Sequence, residues 1–268
     1  MDRFSMSANT SVEAKRKFTG HARLPRLLGL LALLAWSLSA QAATGPRKAA
    51  IEFEGLKRSY YLYVPESVSP SKAAPLLLLL HGSGQNGLAI LREWTGLAAA
   101  QGIVLVAPNS HDPWYWRLED DSPRFLRDVI EAADSELTID RRRVYLFGLS
   151  GGAVYALTLS VLESQFFAAS AVFAGAWRDE ESLAIVPHAR RKIPVSIFIG
   201  DRDEYFPSRW VEATVAALEG SGHPVSLTIL ERRGHSYAGV ARIVNHDAWN
   251  FLASVRLESE PDFESYGQ

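Results

Sequence analysis

Four stretches of this chain hold side chains that together could carry acyl transfer. The first is Phe147-Gly148-Leu149-Ser150-Gly151-Gly152. Alone, a G-x-S-x-G pattern says little, because Gly and Ser are common in loops and a plain glycine-rich turn would read the same. Here it follows an apolar run and precedes a segment of small residues, the strand–turn–helix setting of a nucleophile elbow. So sharp a turn strains the backbone at Ser150 and demands small neighbours, and Gly148 and Gly152 remove the Cβ atoms that would clash. The turn also sets the hydroxyl at a helix N-terminus, where developing negative charge is stabilised.

Serine is a poor nucleophile without a base. Of the seven histidines, His235 lies in Arg233-Gly234-His235-Ser236-Tyr237, a loop just after an expected strand and late in the chain, where such a base belongs. His246 falls inside a helical segment, His223 precedes Pro224 in a turn, and His188 and His111 lie in connections. The base needs an acid to orient it and to stabilise its cation. An apolar strand ends in Gly200-Asp201-Arg202-Asp203-Glu204-Tyr205-Phe206-Pro207. Asp203 is the favoured acid because it lies deeper in the loop; Asp201 is the alternative, free instead to brace the turn, and Glu204 comes third.

Attack on a carbonyl carbon also places negative charge on the carbonyl oxygen, which needs backbone N–H donors. Gly151, next after the nucleophile, supplies one. The loop Leu80-His81-Gly82-Ser83-Gly84-Gln85-Asn86 supplies the other, with Ser83 preferred and Gly84 next. His81 is expected to be a buried residue that shapes this loop. Aromatic residues gather at the same ends of expected strands: Trp114 and Trp116 in one loop, Tyr205 and Tyr237 beside the acid and the base, and Trp177 after another strand. The first four are candidate substrate-binding residues, although Trp114 and Trp116 could instead pack beneath their loop. Asp120 and Asp121 could cap a helix or meet a polar substrate end; with no His or Glu at ligand spacing, no metal site is expected.

Strand and helix patterns alternate along the chain. A possible hairpin spans Ile51–Tyr63, and buried strands are expected at Pro75–Leu80, Ile103–Ala107, Arg143–Phe147, Ser170–Phe173, Val195–Ile199 and Val225–Leu230. Helices are expected over Asn86–Gln101 with Gly102 as its stop, from the N-cap Ser122 to about Leu137, and over Gly151–Leu162, Pro207–Leu218 and Val244–Val255. Such alternation means βαβ units and a mostly parallel sheet covered by helices on both faces. Only about 18 residues separate Ala174 from Ile193, too few for a large helical lid in a connection of this kind.

The chain has 268 residues, 47% of them hydrophobic, enough for one sizeable core. Residues 1–42 hold six of the Lys and Arg and two of the acids, which leaves 22 basic and 28 acidic residues elsewhere, a net of −6. That balance gives no reason to expect a nucleic-acid partner. The basic N-terminal stretch leads into the apolar run Leu27–Trp36 and the small-residue close Ser39-Ala40-Gln41-Ala42, the three parts of a secretory signal. The run is shorter than the roughly 20 residues of a spanning helix, so export to the periplasm or beyond, without lasting membrane attachment, is expected; an uncleaved anchor is the alternative. The expected organisation is a signal over 1–42, a catalytic domain over 43–257 and an acidic tail over 258–268. Absence of cysteine excludes disulfides and every cysteine nucleophile.

With these residues in place the chain resembles the secreted α/β-hydrolase esterases of the polyhydroxybutyrate depolymerase and feruloyl esterase type, with the phospholipase/carboxylesterases as relatives. The matching pieces are Leu80-His81-Gly82-Ser83-Gly84, Ile139-Asp140 with Arg143-Val144-Tyr145 leading to the elbow, Gly200 to Asp203 with Phe206-Pro207, and Gly234-His235-Ser236-Tyr237. The resemblance implies an α/β-hydrolase fold, an Asp three residues after the strand-end Gly, which favours Asp203, and cofactor-free hydrolysis of esters. Many secreted members carry cysteines and some place Trp where Tyr237 stands, so the likeness speaks more to chemistry than to substrate. Apolar, aromatic or polyester-like esters are the expected substrates. A serine peptidase of the same fold and a non-catalytic binding protein on this scaffold are the rival readings.

Overall fold

A computed structural model describes residues 45–261 of the chain. The expected signal and the last residues of the acidic tail lie outside the described residues. Eight strands form one sheet in the order β1-β2-β4-β3-β5-β6-β7-β8. The hairpin of β1 (Arg47–Phe53) and β2 (Leu56–Tyr63) turns at Glu54 and Gly55. Both residues have positive φ, 49° and 77°, the two-residue turn whose twist suits a hairpin. β2 also pairs antiparallel with β4 (Val104–Pro108). The remaining pairings are parallel, through β3 (Ala74–Leu80), β5 (Ile139–Leu149), β6 (Ser170–Phe173), β7 (Val195–Gly200) and β8 (Val225–Leu230).

Composition follows position in this sheet. Every residue of β3, β4, β6 and β7 is buried, as helices on both faces require. β8 is the edge, and its burial alternates, leaving Leu227 and Ile229 exposed. The helices obey local signals. α1 (Gly87–Gln101) is capped by the Asn86 side chain, which accepts from Ala89 N at 3.1 Å, and stops at Gly102 in the left-handed conformation. α2 (Pro123–Glu136) starts at the N-cap Ser122 with Pro in its first turn. α3 (Gly151–Leu162) is apolar almost throughout and largely buried, consistent with its place against the centre of the sheet.

The connection from β6 to β7 holds more structure than expected. It contains the short helix α4 (Glu180–Ala184), capped by Asp179, and a 3₁₀ turn at Val186–His188. Arg191 fastens its far end, donating to the carbonyls of Ser164 and Ala168 at 2.9 and 2.8 Å. Helix α5 (Ser208–Gly220) begins one residue after Pro207, which serves as its N-cap. The last helix, α6 (Ala241–Ala253), starts and ends earlier than its apolar pattern suggests.

Strand order fixes where a site can lie. The chain moves from β3 outward to β4, then returns across β3 to β5 and continues to β8. Right-handed crossovers therefore put α1 on one face and α2 and α3 on the other, and α6 folds back against α1. The reversal opens a crevice at the C-terminal ends of β3 and β5, where ligands bind in open α/β sheets.

Candidate active site

Ser150 stands in that crevice, between the last residue of β5 and the first of α3. Its φ of 54° and ψ of −115° are unusual for a residue with a Cβ, and strain of this sort persists only where the surroundings enforce it. Here they are backbone on every side. A Cβ on Gly148 would lie 2.3 Å from the Gly152 carbonyl oxygen, and one on Gly152 would lie 2.2 Å from the Leu80 carbonyl oxygen. The Ser150 N–H donates to the Phe173 carbonyl at 3.0 Å, tying the turn to β6.

The three residues named from sequence as nucleophile, base and acid come together. His235 Nε2 lies 2.8 Å from Ser150 Oγ, and His235 Nδ1 lies 2.8 Å from Asp203 Oδ2. With the carboxylate as acceptor, Nδ1 carries the proton and Nε2 is left to accept from the hydroxyl. The Asp203 side chain is fully buried. Its other oxygen accepts from the N–H groups of Tyr205 and Phe206 at 2.9 and 3.0 Å, so it is aimed as well as buried. Asp201 does the other work foreseen for it: its carboxylate accepts from Arg233 N at 3.2 Å and braces the histidine loop. That loop passes so close to the end of β7 that a Cβ on Gly200 would lie 2.2 Å from the Arg233 carbonyl oxygen. The His235 ring rests on aromatic neighbours, Phe206 stacked at 5.8 Å and Tyr205 tilted at 4.7 Å.

Ser83 and Gly151, the candidate oxyanion donors, lie side by side next to the nucleophile. The Ser83 nitrogen lies 3.6 Å from where a Gly151 Cβ would stand. Gly151 is the first residue of α3, whose N–H has no carbonyl within its own helix. Gly84, the second choice, is otherwise engaged: its N–H donates to the Pro113 carbonyl at 2.8 Å. Its missing Cβ instead seats the Trp114 ring, which comes within 2.9 Å of that position.

His81 is buried, as expected. Ser110 N donates to its Nε2 at 3.2 Å, so Nδ1 bears the proton and donates to the Gly82 carbonyl at 2.9 Å. Burial pushes this imidazole below its ordinary value, the hydrogen bond to Gly82 working the other way.

The four candidate substrate-binding aromatics divide. Trp114 and Tyr205 are exposed, and with Trp116 they line a cleft of about 550 Å³ that reaches Ser150 and His235. Trp116 also braces the loop from below. Its indole N–H donates to the His81 carbonyl at 2.9 Å, and its ring stacks on Tyr155 at 5.6 Å. Tyr237 is mostly core: it is 7% exposed, its ring packs against Phe147 and Phe173, and its hydroxyl donates to Asn245. Only an edge of it reaches a second cleft, of about 360 Å³, on the other side of the nucleophile. Trp177 is buried and packs as core, its indole N–H donating to Thr158.

Three contributors carry no local signal in the sequence. Arg58 on β2 forms a buried ion pair with Asp121 and donates to the Asp120 carbonyl at 2.7 Å. Asp121 in turn accepts from His111 N at 2.8 Å and Arg117 N at 3.3 Å, while Tyr155 donates from α3 to its carbonyl at 2.5 Å. This network holds the aromatic loop 109–121 over the site. Asp121 therefore neither caps a helix nor faces substrate; no pattern within a short window links a strand Arg to an Asp 63 residues away.

A profile of the phospholipase/carboxylesterase family matches residues 118–246, the stretch that holds Ser150, Asp203 and His235. The chain has the α/β-hydrolase fold and is similar to that family over those residues. The chain is 28% identical to feruloyl esterase C of Emericella nidulans over 125 residues, 44% of this chain and 46% of that protein. It is also 28% identical to a poly(3-hydroxybutyrate) depolymerase of Ralstonia pickettii over 152 residues, 47% of this chain and 31% of that one. Among solved structures, Thermogutta terrifontis esterase 2 phosphonylated by cyclosarin superposes with a TM-score of 0.65 at 18% identity, covering 78% of this chain and 94% of that chain. The chain spans at most about half the length of the curated relatives it matches.

Proposed function

We propose that this α/β-hydrolase is a serine esterase that cleaves carboxylic esters through an acyl-enzyme, with Ser150 as nucleophile, His235 as base and Asp203 as orienting acid. One observation carries the reading: the unbroken chain of 2.8 Å contacts from Ser150 Oγ through the imidazole to a buried carboxylate. In the first half-reaction His235 Nε2 takes the hydroxyl proton as Oγ attacks the carbonyl carbon. The backbone N–H groups of Ser83 and Gly151 receive the developing oxyanion. The imidazolium, held by Asp203, returns the proton to the leaving alcohol. Water then enters, is activated by the same nitrogen and releases the acid.

The exposed aromatic wall beside Ser150 supports apolar or aromatic esters, or short stretches of a polyester, as substrates. The segment before residue 43 supports export to the periplasm or the medium, with a catalytic domain over 43–257 and no lasting membrane attachment. The feruloyl esterase and polyester depolymerase among the relatives support ester rather than amide hydrolysis.

The experiment is Ser150→Ala assayed on p-nitrophenyl acetate beside matched amides. The expected result is a kcat lower by about 10⁴-fold or more, with circular dichroism unchanged and the wild-type enzyme preferring ester to amide. Ordinary activity in Ser150→Ala would exclude a histidine-activated serine.

A further inference from the structure

Two clefts meet at Ser150 and His235, and they differ in charge: a guanidinium lines one and not the other. The narrower one is lined by Gln85 and Glu93 beside an edge of Tyr237. The wider one is walled by Trp114, Trp116 and Tyr205 and holds a single cation, Arg178. Arg178 follows β6 and lies at the start of the connection toward β7. Its guanidinium carbon lies 4.5 Å from the centre of the Phe206 ring, over its face, and 5.1 Å from that of the Trp210 ring. One of its nitrogens donates to the Tyr205 carbonyl at 3.3 Å. Phe206 in turn stacks on His235, so the charge is mounted on the same aromatic wall as the imidazole.

A guanidinium offers five N–H donors in a fixed fork. The two ring contacts restrain it, and one carbonyl uses one donor, which leaves most of the fork for a ligand. Among the described residues no carboxylate forms an ion pair with Arg178. The adjacent Asp179, which also lines the cleft, is turned to α4, where it accepts from Ser182 N at 2.7 Å. An exposed aromatic floor with a pre-oriented guanidinium at its end suits a planar anion. Glu93 across the nucleophile would repel the same group.

We propose that Arg178 is a specificity-determining residue, and that the aromatic cleft takes the part of the ester that bears a carboxylate. The favoured substrates are esters with an apolar or aromatic body and a free acid on one side of the scissile bond, as in a half-ester of a dicarboxylic acid or the acid end of an oligoester. Glu93 leaves the other side neutral or cationic. This rests on the serine esterase reading above.

The test compares matched esters that differ in one charge, on the acyl side with 4-nitrophenyl hexanoate against mono(4-nitrophenyl) adipate. On the alcohol side, 4-carbamoylphenyl butyrate is set against 4-carboxyphenyl butyrate. The wild-type enzyme is expected to prefer the carboxylate in one of the two pairs, and that pair identifies which side of the ester lies in the aromatic cleft. In Arg178→Gln the ratio of kcat/KM, charged over neutral, should fall about tenfold, as loss of a charge-assisted hydrogen bond would give, with most of the change in KM. Arg178→Lys should keep part of the preference, and rising salt should erode it in the wild type.

A structural role for Arg178 would change both members of a pair in parallel, and that result, or no preference in either pair, would overturn the proposal. Failure of the esterase reading looks different: neither neutral ester would turn over in the wild type.

Discussion

The frame around Ser150 and the aromatic loop 109–121 face each other across the same crevice, yet they are held by different physics. The frame is backbone packed on backbone, with Gly148, Gly152 and Gly200 each sitting where a Cβ would fall within 2.3 Å of a carbonyl oxygen. The loop holds no glycine. It hangs on a buried ion pair, Arg58 with Asp121, and on the Trp116 indole bonded to His81. The frame fixes where the reacting atoms stand, so it tolerates no added volume. The loop fixes which surface the substrate meets, and its anchoring is polar, cooperative and dependent on single partners.

Substitutions should separate the two. Gly152→Ala attacks the frame. Added volume here has no room to relax, so a displacement of the nucleophile is expected, with kcat lowered by about 10²-fold or more. Stability should fall by about 1–3 kcal/mol, read from urea unfolding. A variant with wild-type kcat would show that the glycine is not enforcing the turn. Asp121→Asn attacks the loop by leaving Arg58 buried without its counter-charge, at a cost of about 3–5 kcal/mol. Its kinetic signature should be the reverse: KM rises for esters of aromatic acids while kcat on p-nitrophenyl acetate changes little. Equal loss of kcat on both substrates would mean that loop and frame are not separable.

The smallest expected effect concerns pH. Burial lowers the affinity of His81 and His223 for protons, as the largest influence on each. Both rings therefore stay neutral in the folded chain at pH values where the unfolded chain, near the ordinary 6.5, takes up protons. Their contribution is fully present above that value and is lost as pH falls from it toward the depressed folded values. The urea midpoint should thus drop between pH 7.5 and pH 5, and drop less in His223→Gln. A His223→Gln variant with the same slope as wild type would remove His223 from the account.

The same division explains what could be read from the chain alone. Ser150, Asp203 and His235 each sit at the C-terminal end of a strand, and strands announce themselves by unbroken apolar runs. The glycines around Ser150 reflect a local steric need, so their spacing is visible within six residues. Asp203 could be preferred over Asp201 from its depth in the loop, and the geometry gives Asp201 the bracing role. The loop's anchor was not legible, since Arg58 and Asp121 meet only after β2 and the β4–α2 connection have been placed side by side. In sequence Gly84 reads as a spare oxyanion donor because a glycine that seats a ring looks like any other loop glycine. Tyr237 follows His235 by two residues and does reach the narrower cleft, but the chain turns there and delivers most of the ring to Phe147 and Phe173, which no local pattern foretells. Helix α4 has only five residues, too few to show a period.

The central claim is that one hydroxyl is made reactive by one imidazole. The direct measurement is stoichiometric labelling with a fluorophosphonate, followed by peptide mass mapping of wild type, Ser150→Ala and His235→Asn. The account predicts one label per wild-type chain, on Ser150, none in Ser150→Ala and labelling slowed by orders of magnitude in His235→Asn. A folded wild-type protein that takes no label, or a Ser150→Ala protein that labels as fast as wild type, would contradict it.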